Sequence, residues 1–260
     1  MKETSLSILR GDAWGEQLQN ELARSSLSEV EWMQQHTQLL KSDSHSRVGL
    51  LQLQNSLCYL KFYQAKSPGQ KILFRLGYSR GLRSFDAAKE LLAAEVLVPD
   101  PLSALLSGGG MMLLTEGVTG AKDLKALWQE DIEQTLRGEL MAAAGDSLAK
   151  LHMAGYCHGD CKWSNFLWSS RGFYLVDLEG VKKSRVGSKK QARDLARFTV
   201  NAEDMGVPHE SYELFLDSYL RLSKHSRDTL ICAVMPFLRQ LRQRHTLKYG
   251  QRGHKILGEP

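Results

Sequence analysis

The chain has 260 residues, of which 42% are hydrophobic and 24% charged, and its formal net charge is +5. That is enough apolar sequence for one large domain or two intimate lobes with a buried core. No apolar run of about 18 residues suggests a membrane span, and Met1–Ser5 lacks the apolar stretch of a signal peptide. The four cysteines (Cys58, Cys157, Cys161 and Cys232) have no disulfide-framework spacing, so a reduced, cytoplasmic setting is expected.

In chain order, the first 36 residues or so predict a polar helical extension with Leu18, Leu22, Leu27, Val30, Trp32 and Met33 facing inward. Thr37 to Lys41 then reads as a strand, Ser42 to Arg47 as a polar turn, and Val48 to Leu53 and Ser56 to Tyr63 as two further strands. Gln54-Asn55 suits a tight hairpin between the last two. Ser84 to Val96 is rich in helix formers with apolar residues at helical spacing, and Pro99-Asp100-Pro101 ends that helix. Gly108-Gly109-Gly110 leads into an apolar strand, Met111 to Thr115. Beyond Glu116-Gly117 the pattern becomes helical: Asp123 to Trp128, Asp131 to Ala154, and everything from Lys189 onward. The expected architecture is α+β: a sheet-bearing N-terminal lobe (1–115) with one main helix, and a helical C-terminal lobe (116–260). A connector near Glu116 to Gly120 would floor the cleft between them.

The most specific feature is His158-Gly159-Asp160-Cys161-Lys162-Trp163-Ser164-Asn165, with Asp177 twelve residues past the Asn and Gly180 after it. Phosphoryl transfer from a nucleotide needs such a set: one carboxylate to orient the attacking hydroxyl, and an amide and a second carboxylate to hold the metal. Asp160 is the candidate catalytic base, on a loop just past a helix end. Asn165 and Asp177 are candidate magnesium ligands, since that ion takes hard oxygen donors and keeps waters and phosphate oxygens for the rest. Phe166–Trp168 and Phe173–Val176 read as a hairpin carrying both ligands at neighbouring strand ends. Lys162 is placed to reach the transferred phosphate. Cys157, His158 and Cys161 lack the second paired spacing that a zinc site requires.

Lys61 interrupts the apolar strand Leu57 to Tyr63, facing either water or a cleft; with the downstream motif, the expectation is an ammonium on nucleotide phosphates. Its carboxylate partner would come from the following helix, as Glu90 or, one turn earlier, Asp86.

These residues give the chain a resemblance to the protein-kinase-like superfamily, and more closely to the bacterial lipopolysaccharide core (Kdo/heptose) kinases. Cys58-Tyr59-Leu60-Lys61 is similar to the family's lysine strand, and Val98-Pro99-Asp100-Pro101-Leu102 to its V-P-x-P element. Leu113 to Val118 resembles its hinge, and Arg193-Asp194-Leu195-Ala196-Arg197 its R-D-L-A-x segment; the similarity spans roughly Lys41 to Leu220. The resemblance implies a bilobal kinase fold using ATP and Mg2+, with Asp160 as base, Asn165 and Asp177 on magnesium, and Lys61 on phosphate. It also implies adenine bonded to the backbone at Glu116 and Val118, and Asp194 bracing the loop.

Three departures matter. Ser42 to Gly49 is not glycine-rich, Asp177-Leu178-Glu179 places its glycine one position late, and Gly159 stands where protein kinases have the arginine that reads activation-loop phosphorylation. The last argues against control by such phosphorylation and for a small-molecule or glycolipid acceptor. Two basic clusters, Lys182 to Arg193 and Arg239 to Lys255, would attract an anionic substrate and the anionic inner surface of the cytoplasmic membrane. Without a recognised motif, nucleic acid is not expected. The leading expectation is therefore an ATP-dependent kinase for a heptose or Kdo hydroxyl. The rivals are a small-molecule or atypical protein kinase, and a pseudokinase scaffold in envelope assembly.

Overall fold

A computed structural model of the chain describes residues 6–43 and 46–258; Ser44 and His45, within the expected polar turn, lie outside the described residues. The chain divides into two compact units. One comprises residues up to 90 together with 99–119, and the other 91–98 together with everything from 120 onward.

The first unit holds β1 (Ser7–Arg10), α1 (Asp12–Ala23), α2 (Glu29–His36), β2 (Gln38–Ser42), β3 (Ser46–Leu53), β4 (Ser56–Gln64), α3 (Pro68–Arg75), most of α4 (Arg80–Ala93), β5 (Pro101–Leu106) and β6 (Gly110–Glu116). Its sheet runs β1-β5-β6-β4-β3-β2, antiparallel throughout. Gln54 and Asn55 both take left-handed backbone (φ 51° and 62°), as a two-residue hairpin turn twisted like its strands demands. Leu18, Leu22, Trp32 and Met33 pack with Leu51, Leu60, Phe62 and Leu114, and Leu27 and Val30 lie at the edge of that cluster. Ser28 caps α2 in a reciprocal box with Glu31.

Three elements differ from the sequence expectation. The N-terminal extension is not wholly helical: β1 pairs with β5, and neither strand was anticipated. Strand β5 starts at Pro101 itself, which can open a strand because its missing N–H needs no ladder partner there. The eight-residue α3 was also missed, although Ser67 caps it and Pro68 opens it.

The boundary also falls elsewhere than 115/116. Gly117 N–H donates to Leu57 O (2.9 Å), which keeps the end of β6 with β4. Leu175 N–H donates to Leu97 O (2.9 Å), which ties 91–98 into the second unit.

The second unit contains β7 (Lys122–Asp123), α5 (Leu124–Gln129), α6 (Gln134–Met153), β8 (Tyr156–Cys157), β9 (Phe166–Ser169), β10 (Gly172–Leu175), β11 (Lys182–Lys183), α7 (Lys189–Asp204), α8 (His209–Ser223) and α9 (Arg227–Tyr249). Strands order as β10-β9-β7 and β11-β8. Its centre is an aromatic column in which Phe198 stacks on Phe215 (centroids 4.0 Å apart) and also touches Trp163 and Phe166 (both 5.4 Å). Trp163 and Phe166 flank Asn165, so the motif loop is anchored by two fully buried side chains. No helix among the described residues is long and apolar enough to cross a membrane.

Candidate active site

The motif loop is held from below by one face of α7. Gln191 Nε2 donates to His152 O (2.8 Å) and Tyr156 O (2.9 Å), fixing the end of α6 and the start of β8. Asp194 accepts from His158 N (2.5 Å) and Gly159 N (2.9 Å), and it also faces His152 Nε2 (3.4 Å). Arg197 pairs with the Asp160 carboxylate (3.2 Å). Asn201 Oδ1 accepts from Trp163 N (3.1 Å). Positions 191, 194, 197 and 201 recur at the three- and four-residue spacing of one helix face, so a rigid rod reads out the loop residue by residue. Gln191 and Asp194 are almost fully buried, which makes their bonds obligatory rather than optional.

Within the loop, Asp160 Oδ2 accepts from Lys162 Nζ at 2.7 Å, while Oδ1 faces Arg197. Burial alone would raise the Asp160 carboxyl. The Lys162 hydrogen bond and charge, with the Arg197 charge, outweigh it and hold the group below the ordinary carboxylate value. Asp160 is therefore an ionised acceptor at neutral pH. Asn165 donates from Nδ2 to Asp160 O (2.8 Å), and the same nitrogen lies 3.5 Å from Asp160 Oδ2. The Asn165 carbonyl in turn accepts from Val176 N (3.0 Å), joining the loop to the residue before Asp177.

Asp177 adopts left-handed backbone (φ 60°, ψ 56°). That conformation is costly for a side-chain-bearing residue and recurs at functional sites. A short 3-10 turn, Leu178–Gly180, follows. Gly159 is also left-handed (φ 81°), and a Cβ there would lie 2.5 Å from Gly180 O. A Cβ on Gly180 would conversely meet His158 O at 2.9 Å. The two glycine backbones touch, and one contact accounts for two of the three departures from the protein-kinase pattern: a side chain at 159 would meet the Gly180 backbone, and the late glycine at 180 is the partner surface.

His158 is fully buried, and burial pushes its pKa below the ordinary histidine value against the pull of Asp194, Asp160 and Asp177. The thiols of Cys157 and Cys161 are also buried and raised, the latter well above the usual value. Packed, protonated cysteines fit poorly with a metal knuckle. Among the described residues no group of three or more His, Cys, Asp or Glu side chains is arranged to hold a metal. Asn165 and Asp177 offer hard oxygen donors, the kind that magnesium takes alongside phosphate and water.

In the first unit, Lys61 lies on β4 opposite the face formed by Cys58, Leu60 and Phe62, between Val48 and Leu113, its ammonium 5.3 Å from the Tyr63 ring centre. Asp86, the alternative partner for it, is ion-paired with Arg10 (3.2 Å). At the hinge, Glu116 N donates to Asp100 O (2.8 Å), and its carboxylate accepts from Asp100 N (3.2 Å). Glu116 thus has a carbonyl rather than an N–H to offer a ligand. Among the described residues the Val118 amide has no hydrogen-bond partner.

Of the basic clusters, Arg242 is spent inside the protein on Glu203 (2.5 Å) and Leu257 O (2.6 Å), and Arg193 lies over the Phe237 ring (4.9 Å). Lys182 and Lys183 on β11 are exposed and run antiparallel to Cys157 and Tyr156, next to the motif loop.

The sequence motif points to Asp160, Lys162, Asn165 and Asp177 as candidates but not to Gln191, Arg197 or Asn201 as the residues that hold the loop and its approaches. The signal was available: three polar residues at helical spacing, interleaved with Leu195 and Phe198, on a helix whose apolar face is buried.

The model of the lipopolysaccharide kinase (Kdo/WaaP) family matches residues 30–219, more than half of the chain, with the whole motif set inside it. No curated protein matches the sequence.

Proposed function

We propose a specific reaction for this chain, which belongs to the lipopolysaccharide kinase (Kdo/WaaP) family: transfer of the terminal phosphoryl group of ATP to a heptose or Kdo hydroxyl of the lipopolysaccharide core. Family membership makes it a phosphotransferase acting on lipopolysaccharide and implies ATP use; the particular sugar, the magnesium and the residue roles are our reading.

The observation that carries it is the Asp160 carboxylate, ionised and fixed by Lys162 and Arg197 on a loop templated by α7. In phosphoryl transfer the transition state is loose, so a strong base matters less than a carboxylate that orients the hydroxyl in line. Asp160 would accept that hydroxyl's hydrogen bond. Lys162 would divide its charge between Asp160 and the incoming phosphoryl oxygens. Arg197 is a positioning residue that keeps the carboxylate aimed. Asn165 and Asp177 would hold the magnesium, which neutralises phosphate charge when bound.

Lys61 is the proposed phosphate ligand in the first unit, with Glu90 as the partner that steadies it. The Glu116 carbonyl and the Val118 N–H are the proposed adenine contacts. Exposed Lys182 and Lys183, next to the motif loop, favour an anionic acceptor over a neutral one. An acceptor that is itself part of a membrane glycolipid also favours peripheral contact with an anionic bilayer surface.

The test is radiolabel transfer from ATP to extracted lipopolysaccharide, preceded by thermal shift with ATP and magnesium. The expected result is magnesium-dependent stabilisation and label in the core sugars. Absence of both would favour a binding scaffold; transfer to aminoglycosides or to protein, but not to core sugars, would favour another kinase class.

A further inference from the structure

The segment between the lysine strand and α4 has no part in the chemistry above, yet its surface combines exposed apolar and basic side chains. From Ala65 to Phe85 the sequence carries five basic residues (Lys66, Lys71, Arg75, Arg80 and Arg83) and no acidic one. All five are exposed.

Helix α3 lies within it, and of its residues only Phe74 is buried, packed among Tyr63, Leu82, Phe85 and Met111. The large apolar side chains around it point outward: Ile72 is 57% exposed, Leu73 49%, Leu76 65% and Tyr78 68%. The helix is nevertheless well built. Ser67 Oγ accepts from Gln70 N (3.2 Å), and past its end Gly77 turns left-handed (φ 85°) so that Tyr78 N donates to Leu73 O (2.9 Å). A capped helix and the turn after it that spend one large apolar side chain on the core and expose four others present an apolar patch of the kind that marks interaction surfaces.

We infer that α3 and the turn to Tyr78 form a membrane-interface element, in which Ile72, Leu73, Leu76 and Tyr78 enter the headgroup boundary of an anionic bilayer while Lys66, Lys71, Arg75 and Arg83 meet its phosphates. Charge selects this occupant. A stretch with several cations, no carboxylate and an apolar ridge matches an anionic lipid surface, where basic residues gain from the surface potential and apolar ones from burial. A second copy of the chain would bring the same positive charge to the same place. The inference deepens the bilayer contact proposed above by placing it on α3 rather than on either of the later basic clusters, and vesicle binding tests it independently of phosphotransfer.

The test is flotation of the full chain with phosphatidylcholine vesicles, with and without phosphatidylglycerol. It compares the wild type, I72S/L73S/L76S/Y78S, K71E/R75E, and K182E/K183E as the control. Binding should require phosphatidylglycerol and weaken with salt, and it should fall at least about tenfold in each of the first two variants but not in the control. Binding that survives the first two variants, or is lost in K182E/K183E, would overturn the assignment. So would absence of vesicle binding combined with a concentration-dependent dimer in sedimentation that the apolar variant abolishes, which would give the face to a second copy.

Discussion

Helices α7 and α3 are both amphipathic, but they use their faces in opposite ways. Helix α7 buries polar side chains along with apolar ones: Gln191, Asp194, Leu195 and Phe198 are all sequestered, Asp194 accepting from two amides of the catalytic loop and Gln191 donating to the carbonyls of the elements that lead into it. Helix α3 buries Phe74 and leaves most of the rest exposed. A buried polar group is costly unless satisfied, so a helix that carries several of them fixes whatever satisfies them. A helix held by one side chain fixes nothing beyond itself and keeps a surface available. The difference separates a scaffold for chemistry from a surface for association.

The largest expected effect lies on α7. Asp194→Ala removes the acceptor for two loop amides and leaves them unsatisfied, at about 1–3 kcal/mol for each buried orphan. A loss of about 2–5 kcal/mol in chemical denaturation is expected, and a loss below about 1 kcal/mol would break the idea that α7 templates the loop. Gly159→Ala comes next. Left-handed backbone and the 2.5 Å approach to Gly180 O together should destabilise by about 1–3 kcal/mol. Because the strain falls on the turn after Asp177, magnesium-dependent ATP binding should weaken in the same variant, measured by calorimetry.

Arg197→Gln sharpens the contrast between support and chemistry. Its pair with Asp160 is partly exposed, so the melting temperature should barely move. The turnover number should nevertheless fall about 10–100-fold with little change in KM for ATP. Arg197→Lys should recover part of it. A melting temperature that falls in step with activity would make Arg197 structural instead. The smallest effect is expected on α3, where replacing Ile72, Leu73, Leu76 and Tyr78 by Ser should change stability by no more than about 0.5 kcal/mol per site.

The same contrast governs what could be read from sequence. Strands β2 to β4, the left-handed Gln54-Asn55 turn and the Phe166–Leu175 hairpin were legible because their signals are local: alternation, turn chemistry and fixed spacing. The loop carboxylate and its amide and lysine neighbours were legible for the same reason, all falling within six residues of each other. Strand β1 was not, because its four residues become a strand only through pairing with β5, almost a hundred residues later. The α7 supports were hidden likewise. Asp194 could be assigned through its family resemblance, but Arg197 and Asn201 acquire meaning only when the helix is laid beneath the loop. Helix α3 carries its own cap and proline, but nothing local to so short a segment tells which of its apolar residues face the core and which face water.

The most direct test is the rate of phosphoryl transfer from ATP to purified core sugar by Asp160→Asn, measured beside its melting temperature. The substitution keeps the side chain's size and removes the charge that Lys162 and Arg197 hold in place. The account requires a fall of about 100-fold or more in turnover with the fold intact; full activity in a folded Asp160→Asn protein would contradict it.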